Sequence, residues 1–322
     1  MIITYASFVL FKLPNQTKIQ LWELDEEYKG ENQFIFNSFD NQTKYLLNAK
    51  SNKDFSLEEL NNLSLNIQFK PDSSLPHVLS KEEYLNKAED FIGKLKDETF
   101  DKIILSRVKL DNKPENIIQK FKYLCEKYPT AWVYLFHHHQ ETWLGASPER
   151  LLESSSEGLK TVALAATKSK SENREWTAKE YKEHDVVVDY IVKQFKPEAI
   201  EKNGPYTIDL GEIQHLKTDI HIKDQSLALE EILANLHPTP AVCGMPKDET
   251  KAYILRNEGY NRSFYTGYFG IKTPEITSFY VNLRCAEIFQ NHLAIYVGGG
   301  LIAASEAESE WNETELKSRA LL

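Results

Sequence analysis

The sequence is poor in cysteine, proline and glycine and has no long apolar run. Its three cysteines, Cys125, Cys243 and Cys285, lie far apart and lack C-x-x-C spacing, which argues against a disulfide framework or a zinc ribbon. The 13 glycines and 12 prolines do not cluster into a linker. No window approaches the roughly 18 to 20 apolar residues of a membrane span. The first cation, Lys12, follows the apolar N-terminal run, the reverse of a signal peptide, so we expect a cytoplasmic protein with no membrane partner.

Basic residues are also in the minority. The 38 Lys and Arg residues against 48 Asp and Glu give a net charge of −10 and a pI of about 5.5. Because no basic stretch is available to displace counterions from a polyanion, a nucleic-acid partner is not expected. Hydrophobic residues make up 41% and charged residues 27% of the chain, close to the globular average, so the chain can bury a sizeable core.

Helices and strands alternate in groups along the chain. Residues 81–98 carry Tyr84, Ala88, Phe91 and Leu95 at three- and four-residue spacings, the stripe of an amphipathic helix. Strands arriving in hairpin-like groups, with helices between the groups, favour an α+β fold with antiparallel sheets over regular βαβ alternation. Further helices are predicted for 114–129, for 176–195 and from Ser305, which forms an S-x-x-E capping box with Glu308. Strands are predicted for 101–110, 131–139, 142–153, 161–167, 278–289 and 292–302.

Two of these helices carry paired carboxylates. In the last helix Glu310, Glu313 and Lys317 fall on one stripe at about 100° per residue, and Glu180 and Glu183 repeat the pattern in the helix at 176–195. Carboxylates three residues apart repel each other mildly unless a cation lies between them. Hard oxygen donors without a nearby cysteine favour Mg²⁺ over zinc. The alternative is a pair of solvated acidic helix faces, the usual explanation for such pairs.

Two ionisable residues lie in apolar surroundings. Lys102 precedes the run Ile-Ile-Leu, and Glu149 follows Pro148 at the end of a hydrophobic strand. Burial lowers the pKa of a lysine and raises that of a glutamate, which gives a neutral base and a protonated acid near pH 7. Taken singly, a structural role is the more common one for each residue.

Histidines, glycines and one arginine supply weaker signals. Neighbouring side chains in a strand point to opposite faces, so the histidine triplet at 137–139 is not expected to converge on one metal ion. The glycine run at 298–300, directly after a predicted strand, can form an anion-binding concavity or a sharp turn. Its spacing is not G-x-G-x-x-G and no P-loop lysine follows, so no nucleotide site is predicted. His215 and Arg284 have ordinary structural explanations, although arginine also suits a carboxylate.

Eight ordered segments stand out: LSR after Lys102, ASPERLL at 146–152, KEYKEHDVV at 179–187, IQHL at 213–216, LHPTPAVCGMPK at 236–247, RSFYTGYFG at 262–270, NLRCAEIF at 282–289 and VGGGLIAASEAESEWNETELK at 297–317. Read in this order, they closely resemble the chorismate-utilising enzymes and, within them, the isochorismate synthases. The match covers about residues 80–322. The resemblance implies one α+β domain, a monomer, with two large packed antiparallel β-sheets flanked by helices. Residues 1–80 would be a short N-terminal part of this fold and residues 81–322 the chorismate-binding catalytic region.

The resemblance also implies a reaction. In the isochorismate synthase branch, water adds at C2 of chorismate while the C4 hydroxyl leaves, in a reversible Mg²⁺-dependent isomerisation that serves menaquinone or siderophore biosynthesis. By position, Lys102 matches the base that activates water and Glu149 the acid that protonates the departing hydroxyl. The implied Mg²⁺ ligands are Glu183 and Glu313, with Glu180 and Glu310 acting through water, and the implied substrate-binding residues are Thr167, His215, Ala241, Tyr265, Arg284, Gly298 and Lys317.

The sequence departs from the family pattern in two places, and other reactions stay open. Ala166 stands in LAAT where glycine is usual, which adds a methyl group near the substrate. The part before residue 81 is shorter than in many relatives, so the sheet is expected to lack a strand or two there. A salicylate synthase would use the same machinery and then eliminate pyruvate, whereas anthranilate and aminodeoxychorismate synthases use ammonia and do not place a lysine at position 102. A chorismate-binding module without turnover is disfavoured because the whole catalytic and metal-binding set is present.

Overall fold

The computed structural model describes residues 1–156, 158–210, 213–223 and 228–321. Short 3₁₀ helices in this part of the chain lie at Glu59–Asn62, Asp72–Ser74 and Pro197–Ala199. None of the described helices is both long enough and apolar enough to span a membrane. The α-helices of the described residues are α1 (Lys81–Lys96), α2 (Ile117–Lys127), α3 (Ala178–Val192), α4 (Leu229–Leu236), α5 (Lys247–Asn257) and α6 (Ala307–Ser318).

Strands account for most of the remaining regular structure. They are β1 (Ile2–Ile3), β2 (Ser7–Lys12), β3 (Ile19–Asp25), β4 (Gln33–Asn37), β5 (Lys44–Phe55), β6 (Ser64–Leu65), β7 (Lys102–Asn112), β8 (Trp132–His138), β9 (Glu141–Ser147), β10 (Arg150–Ser155), β11 (Gly158–Ser169), β12 (Ile200–Leu210), β13 (Ile213–Ile222), β14 (Gly244–Met245), β15 (Tyr268–Lys272), β16 (Thr277–Val281), β17 (Cys285–Ile288) and β18 (His292–Leu301).

Within the described residues, sixteen strands are hydrogen-bonded into one sheet, and the α+β class predicted from the sequence is confirmed. The order in this sheet is β12-β13-β11-β10-β16-β15-β4-β5-β3-β2-β8-β9-β17-β18-β7-β14. Strands β8 and β15 are five positions apart, yet the rings of Trp132 and Tyr134 in β8 lie 5.3 and 4.4 Å from that of Phe269 in β15. The sheet therefore folds over on itself. The two packed sheets implied by the resemblance are two parts of one sheet, because strand pairing continues between them.

The N-terminal segment lies in the interior of this sheet. Strands β2 to β5 fill the positions between β15 and β8, with β4 paired to β15 and β2 paired to β8. Phe11, Trp22 and Phe36 from these strands are at most 3% exposed and belong to the core between the folded-over parts. Strands β2 to β5 therefore support the part of the sheet that carries the candidate site.

The two acidic helices begin differently, because only α3 has a side-chain N-cap. Thr177 caps α3 in a capping box with Glu180. The capping box predicted at Ser305 was wrong, since the N-cap of α6 is Glu306 and makes no side-chain cap bond. Ser305 Oγ instead accepts a hydrogen bond from the Ile302 N–H at 3.1 Å. Its hydroxyl is therefore used in the turn that precedes the helix.

Two predicted strands are each interrupted. The strand predicted for 142–153 breaks at Pro148 and Glu149, because proline has no N–H to offer the ladder. The strand predicted for 278–289 breaks between β16 and β17, where Arg284 has a φ of 47°, in the left-handed region. The two breaks are adjacent, since the Val281 N–H donates to the Glu149 carbonyl at 3.0 Å. Glu149 and Arg284 consequently leave the regular strand pattern beside each other.

Candidate active site

A cavity of about 670 Å³ lies where α3 packs against β11 and α6 packs against β18. Residues that are far apart in the chain meet at its walls, and no local sequence pattern connects them. All the residues that the sequence singled out for catalysis, substrate and metal line it, namely Lys102, Glu149, Thr167, Glu180, Glu183, His215, Ala241, Tyr265, Arg284, Gly298, Glu310, Glu313 and Lys317.

Lys102 is the first residue of β7 and is 2% exposed. Its Nζ donates a hydrogen bond to Glu183 Oε1 at 2.9 Å, so a carboxylate from α3 balances the buried ammonium. A Cβ at Gly300 would lie 2.9 Å from Lys102 Cε and 3.0 Å from the same Glu183 oxygen. A residue larger than glycine at position 300 would therefore push into this ion pair.

Glu149 lies in the break between β9 and β10 and is 3% exposed. Burial raises the pKa of its carboxyl to about 8, against an opposing effect of the Lys102 charge. At neutral pH the side chain is therefore mainly protonated. A protonated carboxyl on a cavity wall can act as a general acid.

Helix α6 presents Glu310, Glu313 and Lys317 to the cavity. Lys317 Nζ forms an ion pair with Glu313 Oε1 at 2.6 Å and donates to the Gly298 carbonyl at 3.0 Å. Glu310 is 8% exposed, and burial together with the Glu313 charge raises the pKa of its carboxyl to about 7. The alternative of a solvated acidic face is therefore wrong for Glu310, whose carboxyl is buried near a like charge.

Glu180, in the first turn of α3, is held by an arginine. Arg174 donates two hydrogen bonds to it, from Nη1 to Oε2 at 2.9 Å and from Nη2 to Oε1 at 2.8 Å. Burial alone would raise the pKa of Glu180, but the bonds from Arg174 and Thr177 outweigh burial and hold the pKa below its usual value. Among the described residues, no three of the cavity carboxylates have oxygen atoms within 4.8 Å of one another. Separate basic partners hold Glu180, Glu183 and Glu313.

The glycine run at 298–300 lies inside β18, which continues to Leu301 and pairs with β7. The sharp turn considered there from the sequence was wrong, because the chain stays in the ladder. A Cβ at Gly299 would lie 3.0 Å from Glu310 Oε2, and one at Gly298 would lie 3.0 Å from the Tyr265 hydroxyl. The glycines therefore leave space between the strand and the side chains that face it.

A chain of hydrogen bonds orders His215 and Arg284. His215 Nδ1 donates to the Ala166 carbonyl at 2.9 Å, so Nε2 is the unprotonated nitrogen and accepts from Arg284 Nη2 at 3.1 Å. Burial, followed by the charges of Arg284 and Lys317, holds the pKa of His215 well below its usual value. Thr167 Oγ1 lies 3.2 Å from His215 Nδ1. The neutral histidine thus orients the guanidinium.

Ala166 adopts a backbone conformation that favours glycine. Its φ is 61°, and the register of β11 against β13 shifts between Ala165 and Thr167. The left-handed conformation costs a residue with a Cβ roughly 1–2 kcal/mol, a cost that glycine would not have at this position. Ala166 lines the cavity, which agrees with the position near the substrate that the resemblance implied.

Comparison with known proteins agrees with this geometry. A sequence model of the family described as "Chorismate binding enzyme" matches residues 14–322. The chain belongs to the chorismate-binding enzymes. Isochorismate synthase DhbC of Bacillus subtilis (strain 168) is 31% identical over 272 residues, which cover 76% of this chain and 68% of that protein.

Two further comparisons concern Escherichia coli. Isochorismate synthase MenF of the K12 strain is 30% identical over 204 residues, which cover 58% of this chain and 46% of that protein. The structure of MenF, the menaquinone-specific isochorismate synthase of E. coli, matches with a TM-score of 0.82 at 20% identity, over 98% of this chain and 87% of that chain. The chorismate-binding enzyme described here therefore shares that fold, while its sequence matches span 46% and 68% of the two curated relatives.

Sequence reasoning missed two groups in this chorismate-binding enzyme. Arg174 lies in irregular chain before α3, where no periodic pattern points to the cavity. Behind the glycine run, Arg262 and Glu258 form an ion pair at 2.6 Å in which both side chains are 1% exposed. Glu258 also accepts hydrogen bonds from the N–H and Oγ of Ser106, which pairs with Gly298. The four-residue spacing of Glu258 and Arg262 was a possible signal of an ion pair. The same spacing is equally common on the exposed surfaces of helices.

The Glu149→Gln variant of this chorismate-binding enzyme should gain unfolding free energy relative to the parent protein as the pH rises. The folded protein keeps the Glu149 proton up to a pKa of about 8, whereas an unperturbed glutamate loses it near 4.5. Between these pH values the folded state binds more protons than the unfolded state. The Glu149 carboxyl therefore lowers the free energy of unfolding as the pH rises, by up to about 1.4 kcal/mol per pH unit. Urea unfolding of both proteins across this pH range measures the difference in unfolding free energy. A difference independent of pH would contradict the raised pKa.

Proposed function

We propose that this protein is an isochorismate synthase, an isomerase that converts chorismate reversibly to isochorismate. The observation that carries the proposal is a buried lysine, Lys102, and a buried protonated acid, Glu149, on one cavity that five further glutamates and Arg284 also line. Adding water and releasing a hydroxyl requires one base and one acid in the same site. The relatives DhbC and MenF, both isochorismate synthases by name, support the assignment.

The cavity walls offer partners for the two carboxylates of chorismate. Arg284, oriented by His215, presents a guanidinium that suits a carboxylate with two hydrogen bonds. With the Tyr265 hydroxyl it would bind the enolpyruvyl carboxylate. Lys317, which bonds the carbonyl of Gly298, would attract the ring carboxylate towards α6. The ring hydroxyl at C4 would then face Glu149.

Proton transfers follow from this placement. To act as the base, Lys102 would have to leave Glu183 and be deprotonated; it would then take a proton from water while the water oxygen bonds to C2 of the ring and the ring double bonds shift towards C4. The C4–O bond breaks as Glu149 gives its proton to the departing hydroxyl, which leaves as water. Protons and charge balance because one is taken by the lysine and one is given by the glutamic acid. In the reverse reaction the protonated lysine and the ionised glutamate exchange these roles.

The donor set of the cavity fits Mg²⁺, which we propose as the cofactor. Carboxylate oxygens are the ligands that Mg²⁺ prefers, and the glycine run leaves space directly beside Glu183, Glu310 and Glu313. Glu183 and Glu313 would hold the ion directly, with Glu180 and Glu310 acting through water. Bound Mg²⁺ would supply a positive charge that orients the ring carboxylate. The lysine partners of Glu183 and Glu313 would have to release them.

Other reactions of chorismate are less well supported. The resemblance implies that anthranilate and aminodeoxychorismate synthases, which use ammonia, have no lysine at the position of Lys102. Water is therefore the favoured nucleophile. Ala241 presents a methyl group to the cavity and no hydroxyl that reaches the ring. Salicylate formation additionally requires the enolpyruvyl arm to be held in a pose for loss of pyruvate. The methyl group of Ala166 can alter that pose in either direction, so the product must be measured.

Product analysis tests the proposal. The purified protein, given chorismate and Mg²⁺ at neutral pH, should release isochorismate as its main early product, resolved by chromatography. A parallel reaction contains ammonium and should give the same product. Salicylate as the main early product, or an aminated ring in the second reaction, would assign a different branch of the family. Chorismate binding without any product would indicate a binding module.

A further inference from the structure

A second cluster of ligating side chains lies at the β8–β9 turn. Glu26, His138 and His139 each place one ligand atom within 4.8 Å of those of the other two, the one group of three or more such side chains among the described residues. His138 Nε2 lies 3.1 Å from Glu26 Oε1. None of the three lines the chorismate cavity.

The two histidines converge because the strand ends between them. His138 is the last residue of β8, and His139 has a φ of 54° in the turn that follows. This left-handed residue breaks the alternation of the strand, so the two rings lie on one side with centroids 4.3 Å apart. His137 is still within the strand, where its Nδ1 lies 2.8 Å from Thr142 Oγ1. The triplet as a whole therefore does not converge, but its last two members do.

His138 is already oriented for a ligand. Its Nδ1 lies 2.7 Å from the hydroxyl of Ser7, the residue directly opposite on β2, and its ring packs 4.4 Å from that of Tyr45. The side chain is 5% exposed, with Nε2 directed at Glu26, whose side chain is 59% exposed. Histidines that bind metals commonly have such a partner on the second ring nitrogen, because it fixes the tautomer and the ring orientation.

We propose that Glu26, His138 and His139 form a Zn²⁺-binding site distinct from the chorismate cavity. Two imidazole nitrogens and one carboxylate oxygen are a donor set suited to zinc, whereas Mg²⁺ prefers oxygen ligands alone. Three protein ligands leave a fourth position for water. The exposed Glu26 side chain can move to the shorter separations that coordination requires.

The position of this site separates it from the proposed chemistry. Strand β9 runs from Glu141, paired with His138, to Ser147, two residues before Glu149. At about 3.4 Å per residue the turn lies roughly 20 Å from the acid. A bound ion would join the chain after β3, where Glu26 lies, to the β8–β9 turn. Its expected effect is therefore on stability, with little change in turnover.

To test the site, the full chain is stripped of metal and titrated with Zn²⁺ in the presence of excess Mg²⁺. Isothermal titration calorimetry measures the binding. The parent protein should bind one Zn²⁺ and show a higher melting temperature with it. His139→Ala and Glu26→Gln change exposed residues and should each weaken binding at least about tenfold. Ser7→Ala, which removes the partner of His138, should weaken it by about 10- to 100-fold. His77→Ala, at an exposed histidine that pairs with Glu83, is the matched control and should bind like the parent.

The outcomes separate this site from adventitious zinc binding. Loss of affinity in His139→Ala and Glu26→Gln, with chorismate turnover kept, supports the proposal. Unchanged zinc affinity in both variants would overturn it, since the ion would then be bound elsewhere. Absence of zinc binding by the folded parent protein would overturn it as well.

Discussion

Replacing Glu313 by glutamine should reduce chorismate turnover below detection, and thorough chelation of the parent protein should have the same effect. Glu313 is a proposed direct Mg²⁺ ligand, and an amide is a much weaker ligand than a carboxylate for a hard cation. Burial and, after it, the Glu313 charge raise the pKa of Glu310 to about 7, and the same change removes that charge. In metal-free buffer the melting temperature of the variant should therefore be unchanged or higher, although the ion pair with Lys317 is lost.

The control for this prediction lies on the same helix. Glu308 is exposed, pairs with Lys81 and does not line the cavity, so Glu308→Gln should retain parental turnover. Titrating Mg²⁺ into each chelated protein while following isochorismate formation makes the comparison. Full activity of the parent protein after chelation, or parental turnover in Glu313→Gln, would refute the Mg²⁺ site.

Replacing Lys102 by alanine should lower kcat by roughly 10² to 10⁴, the usual contribution of a general base. Lys102 is 2% exposed and donates to Glu183, so its loss also leaves a carboxylate without its partner. Lys102→Gln keeps much of the side-chain volume and a hydrogen-bond donor but supplies no base. Both variants should therefore lose turnover to a similar extent, even where their melting temperatures differ.

Lys109→Ala serves as the matched variant on the same strand. Lys109 pairs with Glu315 at 2.7 Å and does not line the cavity, so its removal should leave kcat near the parental value. Initial rates with saturating chorismate and Mg²⁺ give kcat, and circular dichroism confirms folding. Near-normal kcat in a folded Lys102→Gln protein would remove Lys102 from the role of base.

Local sequence patterns predicted α1, α2, α3 and α6 but not α4 or α5, and they missed where two of the strands break. The stripe from Tyr84 to Leu95 predicted α1 because helix periodicity depends on the segment alone. The break at Pro148 was missed because the flanking residues continue the apolar pattern. The left-handed φ of Arg284 was missed for a related reason, since the pairing of distant strands decides it.

The sequence by itself determined which residues are candidates for the chemistry, through residue types and ordered motifs that resemble one enzyme family, and the structure places these residues around one cavity. The sequence also predicted the burial of Glu149, since apolar neighbours in the chain indicate a buried strand. Tertiary structure alone decided the partners: Lys102 with Glu183, Arg174 with Glu180, and the two adjacent histidines with Glu26. These contacts depend on how α3 and α6 pack on the sheet and on where β8 ends. Such packing joins residues far apart in the chain, and no period or spacing along the sequence records it.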